Sequence, residues 1–142
     1  VKISARNFIK GKVASVKKGA VNGIVAIECG DKTIKADITN EAIDSLGLEE
    51  GKDAYAVIKA SNVMVATGDE AIANISARNQ LQGTIAAITE GAVNGHVTID
   101  LGCAEASIKA SITNEAISDL GLKVGDTATA IIKSTDVMVA ID

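Results

Sequence analysis

The second half of this chain restates the first. Ile3-Ser4-Ala5-Arg6-Asn7 recurs 72 positions later as Ile75-Ser76-Ala77-Arg78-Asn79, and Gly19-Ala20-Val21-Asn22-Gly23 recurs at 91–95. After a two-residue insertion near Cys103 and Ala104 the offset becomes 74. Ile-Thr-Asn-Glu-Ala-Ile (38–43, 112–117), Leu-Gly-Leu (46–48, 120–122), Ile-Lys (58–59, 132–133) and Val-Met-Val-Ala (63–66, 137–140) then all match. Duplication of a unit of about 70 residues is the simplest account. Two units are too few for a solenoid, so each is expected to be a compact domain, 1–68 and 73–142. Thr67 to Asn74 is the linker, with Gly68, Asp69 and Glu70 as a polar turn.

Within a unit the apolar residues alternate as strands require. The first copy reads as strands over Phe8 to Val16, Ile24 to Glu28, Thr33 to Ile38, Ala54 to Lys59 and Asn62 to Ala66, with a turn at Gly30-Asp31. Thr39 is a good N-cap for a short helix over Asn40 to Leu46, which Gly47 stops in a left-handed conformation. Five short strands with a helix between the third and fourth predict an all-β fold with one short helix per unit. The expected architecture is two tandem five-stranded Greek-key barrels of the oligonucleotide/oligosaccharide-binding (OB) type, with an open sandwich as the alternative. Closing a barrel also removes exposed edges from Val/Ile strands.

Hydrophobic residues are 47% and charged residues 23%, enough to fold. Phe8 and Tyr55 are the only aromatics, and a core of Ala and Val is thin, so oligomerisation is expected to support it. A net charge of −4 without stacking aromatics argues against nucleic acid as a partner. Residues 1–68 carry ten Lys/Arg against eight Asp/Glu, and 69–142 carry four against ten. The halves could therefore attract each other, within or between chains; ordinary surface variation is the alternative. No signal-like or membrane-length apolar run is present, so the reading is a soluble cytoplasmic protein with no membrane partner. Cys29 and Cys103 are expected to be separate reduced thiols.

Three features of each unit could converge on an anion. Ser4-Ala5-Arg6 offers a hydroxyl and a permanently charged fork of donors at the mouth of a strand. Thr39 stands at a helix start, where free N–H groups favour negative charge. Lys59 and Ala60 end the fourth strand, with Ser61 after them. The second unit repeats the set as Ser76-Ala77-Arg78, Thr113 and Lys133-Ser134-Thr135. Two cations and short neutral donors suit a doubly charged tetrahedral oxyanion. The plain alternative is that Thr39 only caps its helix, Lys59 is a solvated strand end and Arg6 pairs with Glu41.

A second candidate is the loop Gly19-Ala20-Val21-Asn22, with its copy Gly91-Ala92-Val93-Asn94. Its glycines could permit a nest of backbone N–H groups, or it is a tight turn with left-handed Asn and Gly. His96 replaces Ile24 at an alternating position and is read as a half-exposed strand residue. With no nucleophile–base set, metal cluster or phosphate loop, nothing argues for an enzyme.

The ordered motifs Ser-Ala-Arg-Asn, Gly-Ala-Val-Asn-Gly, Ile-Thr-Asn-Glu-Ala, Leu-Gly-Leu, Ile-Lys and Val-Met-Val-Ala resemble the molybdate-binding Mop family of the transport-associated OB (TOBE) superfamily, in its tandem di-Mop form. The resemblance implies molybdate or tungstate as bound ligand, no catalysis, and a role in molybdenum storage and homeostasis. It also implies a homotrimer of six Mop units with sites at interfaces between units. One site type would use Ser4, Ala5, Arg6, Thr39, Lys59 and Ala60, with Ser76, Ala77, Arg78, Thr113, Lys133 and Ser134 in the second copy. Some relatives carry a Ser three residues after the Thr; Ala42 and Ala116 stand there in this chain. A second site type near a threefold axis would use the Gly19–Asn22 and Gly91–Asn94 loops. The alternative function is an oxyanion-sensing module acting with a molybdate transporter or regulator. A helix-turn-helix or nucleotide-binding segment would mark that alternative, and these 142 residues contain neither.

Overall fold

Alternating side chains set the first strand. β1 spans Asn7–Lys18 and buries Asn7, Ile9 and Val13, while Phe8, Lys10 and Lys12 face outward. β2 (Asn22–Cys29) and β3 (Lys32–Thr39) follow, then α1 (Asn40–Leu46), β4 (Asp53–Ile58), a 3₁₀ turn at Ala60–Asn62, and β5 (Met64–Thr67). The second copy gives β6 (Asn79–Glu90), β7 (Asn94–Asp100), β8 (Ser107–Thr113), α2 (Asn114–Leu120), β9 (Thr127–Ile132), a 3₁₀ turn at Ser134–Asp136, and β10 (Val137–Ala140). These come from a computed structural model that describes residues 3–103 and 106–142. Val1, Lys2, Ala104 and Glu105 lie outside the described residues, and with them part of the insertion beside Cys103.

The helix signals hold in detail. The Thr39 hydroxyl oxygen accepts from the Ala42 N–H at 3.1 Å, and Gly47 closes α1 at φ 62°. Thr113 and Gly121 do the same for α2. The fifth strand starts later than its alternation suggests, because Asn62 belongs to the 3₁₀ turn.

Each unit is expected to close on its own five strands, but the strand pairing exchanges the fifth. One sheet has the order β10-β4-β1-β2-β3 and the other β5-β9-β6-β7-β8. Val137 pairs with Ile58 and Met64 with Ile131, so each repeat completes the other's sheet. β10 lies beside β3 and β5 beside β8, which carries each sheet toward barrel closure. The 3₁₀ turns lie between β4 and β5 and between β9 and β10, where the chain passes from one sheet to the other.

One continuous core spans both repeats. Ile27, Ile34, Ile43, Ile58, Ile85, Ile99, Ile108 and Ile132 are its largest fully buried side chains together with Leu81. Isoleucine thus supplies bulk that a reading of Ala and Val missed, at about 1.5–3 kcal/mol for each side chain buried. Ala54, Ala56, Ala128 and Ala130 are fully buried and leave room for it. Gly11 and Gly83 mark where β1 and β6 are crossed most closely. A Cβ there would lie 2.3 Å from the Glu28 carbonyl oxygen and 2.2 Å from that of Asp100.

Candidate functional site

Strand register decides which candidates share a neighbourhood. Asn7 pairs with Ile58, so Arg6 and Lys59 stand one step beyond that pair at the same end of the sheet. Arg78 and Lys133 are placed alike beyond Asn79–Ile132. Ser4 and Arg6 are exposed and Ala5 half-buried just ahead of β1; Ser76 and Arg78 are exposed and Ala77 buried ahead of β6. Lys59 and Lys133 are exposed, whereas Ala60 and Ser134 behind them are buried. The exchanged strands bring the two sets near each other. Four residues after Lys133, Val137 pairs with Ile58, the neighbour of Lys59. The turn Ser134–Asp136 packs on β3, and Ala60–Asn62 packs on β8.

Thr39 is not part of that cluster. β1 ends where Lys18 pairs with Gly23, and Gly23 pairs with Ile38, next to Thr39. The 12 residues of β1 therefore separate Arg6 from Thr39 of the same repeat, at about 3.3 Å of strand per residue. The same register separates Arg78 from Thr113 in the second sheet. The three-part box read from the sequence is split within each repeat: the cation and Ser-Ala part at one end, the Thr at the other. Glu41 also stands at the Thr39 end, away from Arg6. Among the described residues the ion pairs are Lys12–Asp53, Lys18–Asp44 and Lys32–Asp31, none involving Arg6 or Lys59 and none joining the repeats.

Both plain and chemical readings of Thr39 survive together. Its oxygen is used as the cap acceptor, and a hydroxyl that accepts still has its own proton to donate.

The Gly19–Asn22 loop lies at the Thr39 end. Asn40 holds it: its N–H donates to the Val21 carbonyl at 2.8 Å and its Nδ2 to the Gly19 carbonyl at 2.9 Å. Asn114 holds Val93 and Gly91 with the same bonds. Neither Gly19 and Gly23 nor Gly91 and Gly95 has a positive φ, which corrects the expectation of left-handed glycines. They are glycine for space. A Cβ on Gly23 would meet Ile43 Cδ1 at 2.7 Å, and one on Gly95 would meet Ile117 Cδ1 at 2.7 Å. Val21 and Val93 project outward, 72% and 71% exposed.

Arg6 also lines a groove of about 470 Å³ between the repeats, with Phe8, Lys10, Cys29, Ser107 and Lys109 among its walls and no carboxylate among the described residues. Beneath it lies a contact that the motif reading missed. Asn7 is 2% exposed, and its side-chain amide pairs with the backbone of Lys109 in the other repeat. Nδ2 donates to the Lys109 carbonyl at 2.8 Å, and the Lys109 N–H donates to Oδ1 at 2.7 Å. Asn79 makes the same two bonds to Lys35, at 2.8 and 2.7 Å. The Asn of Ser-Ala-Arg-Asn is thus a twofold-like clasp between repeats, anchoring the residue beside each Arg. The signal available in the sequence was an amide kept twice at a buried strand start. Charge asymmetry, by contrast, provides no ion-paired link between the repeats among the described residues.

His96 is half-buried in β7, as its alternation implied. No group of three His, Cys, Asp or Glu able to hold a metal ion occurs among the described residues. No helix among them is long and apolar enough to cross a membrane.

Comparison with known proteins places this geometry. The model of the TOBE domain matches residues 3–65 and 75–139. The molybdenum transport protein ModE of Herbaspirillum seropedicae is 41% identical over 142 residues, covering 99% of this chain and 52% of that protein. The molybdenum-pterin-binding protein MopA of Rhodobacter capsulatus is 39% identical, covering 99% and 53%. The chain therefore spans about half the length of these curated relatives. A solved structure of the cytoplasmic molybdate-binding protein ModG, with molybdate bound, matches at a TM-score of 0.92 and 42% identity, covering 100% of both chains. With both repeats matched from end to end, this chain belongs to the TOBE-domain family as a tandem pair.

Proposed function

We propose that the chain binds molybdate, or tungstate, without turning it over, and serves molybdenum storage and homeostasis in the cytoplasm. The observation that carries this reading is the full-length likeness to molybdate-bound ModG, in a chain that retains both Ser-Ala-Arg and Lys sets. The primary site is assigned to Ser4, Ala5, Arg6, Lys59 and Ala60 with a Thr39-type hydroxyl, and to Ser76, Ala77, Arg78, Lys133 and Ser134 with a Thr113-type hydroxyl. Each repeat, 1–68 or 73–142, keeps its own Thr at the far end of its sheet, and the Asn7–Lys109 clasp leaves Thr113 four residues, about 13 Å of strand, farther along β8, so the Thr is assigned to a neighbouring chain. That requirement supports a homotrimer of six units. The Gly19–Asn22 and Gly91–Asn94 loops are the second site type, offering backbone donors in place of cations.

Selectivity follows from proton chemistry. Molybdate is fully deprotonated at neutral pH, so a box of donors suits all of its oxygens. Monohydrogen phosphate brings a proton for which the cations and backbone N–H groups offer no acceptor, so it must turn a Ser or Thr hydroxyl from donor to acceptor. Sulfate has the same charge and is rejected on size. Titration calorimetry at pH 7 with molybdate, sulfate and phosphate, paired with sedimentation, tests this. The expected result is tight molybdate binding, at least roughly hundredfold weaker sulfate and phosphate binding, and an oligomer stabilised by ligand. Equal affinity for sulfate would overturn the function, and a ligand-saturated monomer would overturn the shared site.

A second reading is favoured by the length relation to ModE and MopA: the same tandem acting as an oxyanion-sensing part of a transporter or regulator system. Binding chemistry is common to both.

A further inference from the structure

The repeat symmetry is broken at one place in the interface, and two sulfurs meet there. Cys29 ends β2; its counterpart in the second copy is Leu101. Cys103 sits beside the insertion that shifts the repeat offset. The two thiols stand 74 positions apart in sequence, but the fold places them together: Cys29 Sγ donates to the Cys103 carbonyl oxygen at 3.6 Å. Cys103 also packs against the residue that follows Cys29. A Cβ built on Gly30 would lie 2.8 Å from Cys103 Cβ and 3.5 Å from its Cα. Both cysteines are buried, 7% and 3% exposed, yet Cys29 forms part of the wall of the Arg6 groove.

We propose that Cys29 and Cys103 are a site of reversible disulfide formation, a covalent clasp between the two repeats at the edge of the Arg6 groove. A disulfide needs backbones in close apposition, with Cα atoms roughly 4.4–6.8 Å apart. The Cys29 thiol already reaches the Cys103 carbonyl, and Cys103 packs against Gly30, the residue after Cys29, so little movement is needed to bring the two sulfurs together. The oxidant is a hydroperoxide small enough to enter the groove. Cys29 reacts first: its sulfur takes one peroxide oxygen, the O–O bond breaks, and water leaves, giving a sulfenic acid. The Cys103 sulfur then displaces the sulfenic hydroxyl, which departs as water with the Cys103 proton. Two thiols and one hydrogen peroxide become one disulfide and two waters. Each sulfur is oxidised by one electron, and the peroxide takes both. Burial, with a further push from the Cys29 thiol, raises Cys103 to about 12, so this thiol stays protonated at neutral pH and suits the resolving position rather than the one oxidised first. In a reducing compartment such a bond is transient and reports oxidant.

The test treats the folded, unaltered chain with hydrogen peroxide, quenches, and maps peptides by mass spectrometry without reduction. The expected result is a Cys29–Cys103 cross-linked peptide pair within one chain, a loss of about 2 Da, and return to two titratable thiols on adding dithiothreitol. The cross-link closes a long loop, so the unfolding midpoint should rise by roughly 5 °C or more. C29S and C103S should each abolish both the mass loss and the shift. The map on the unaltered chain decides the matter even if a variant folds poorly. Sulfinic or sulfonic acid on either cysteine, a cross-link only between chains, or two thiols that still titrate after treatment would overturn the proposal.

Discussion

Replacing Asn7 with Ala is expected to loosen the two repeats from one another more than any change to a surface charge. The Asn7 amide satisfies both the N–H and the carbonyl of Lys109, at 2.7 and 2.8 Å, from a position that is 2% exposed. Alanine removes both partners at once and leaves two strand-edge groups without a mate. The bonds are part-buried and Lys109 itself is exposed, so water takes up part of the loss, and the single variant should lose about 1–3 kcal/mol of unfolding free energy. Asn79→Ala should lose a similar amount through Lys35, because its bonds are equivalent. Denaturant unfolding at fixed protein concentration measures both. Asn7→Asp keeps an acceptor for the Lys109 N–H but turns an acceptor toward its carbonyl, so it should recover little. A change within about 0.5 kcal/mol for Asn7→Ala would show the clasp to be idle.

The second large effect is on ligand. Arg6→Ala and Lys59→Ala should each weaken molybdate binding, with the fold intact. Both side chains are exposed beyond the Asn7–Ile58 pair, so their loss disturbs no core contact. A charge-assisted hydrogen bond contributes about 1.5–3 kcal/mol, roughly ten- to a hundredfold in affinity for each substitution. Arg6→Lys should recover only part of this, since a point charge replaces a two-pronged donor. Calorimetry with the circular dichroism spectrum as a folding control reads the effect. Unchanged molybdate affinity in both alanine variants would remove Arg6 and Lys59 from the site.

The elements of the fold were legible because their signals are local. Alternation placed the strands, and Thr39 and Gly47 bracketed α1 at the residues where it starts and stops. What the sequence did not disclose depends on long-range pairing. Val63-Met64-Val65-Ala66 and its copy look alike, so nothing in them says whether each strand stays with its own repeat or crosses to the other. The edges of β4 and β9 are both open to either copy, and the fold pairs each with the other repeat's strand. The same ambiguity hid the Asn7–Lys109 and Asn79–Lys35 clasps and the meeting of Cys29 with Cys103. Glycine was legible as a requirement but not as a cause: at Gly23 it makes room for Ile43, whereas at Gly47 it supplies the left-handed turn. At the site, residue types were readable one by one. Their division between opposite ends of a sheet was not, since spacing along the chain carries no information about which end a strand presents.

On the proposed assignment, that division makes each chain a carrier of half-sites. The direct measurement is an anomalous difference map, collected at the molybdenum absorption edge, from crystals of the unaltered chain grown with molybdate. The predicted peaks lie within hydrogen-bonding reach of the Arg6 and Lys59 side chains and of a Thr hydroxyl from a neighbouring chain, with equivalent peaks at Arg78 and Lys133. Molybdenum bound away from these cations, or enclosed wholly by residues of one chain, would contradict it.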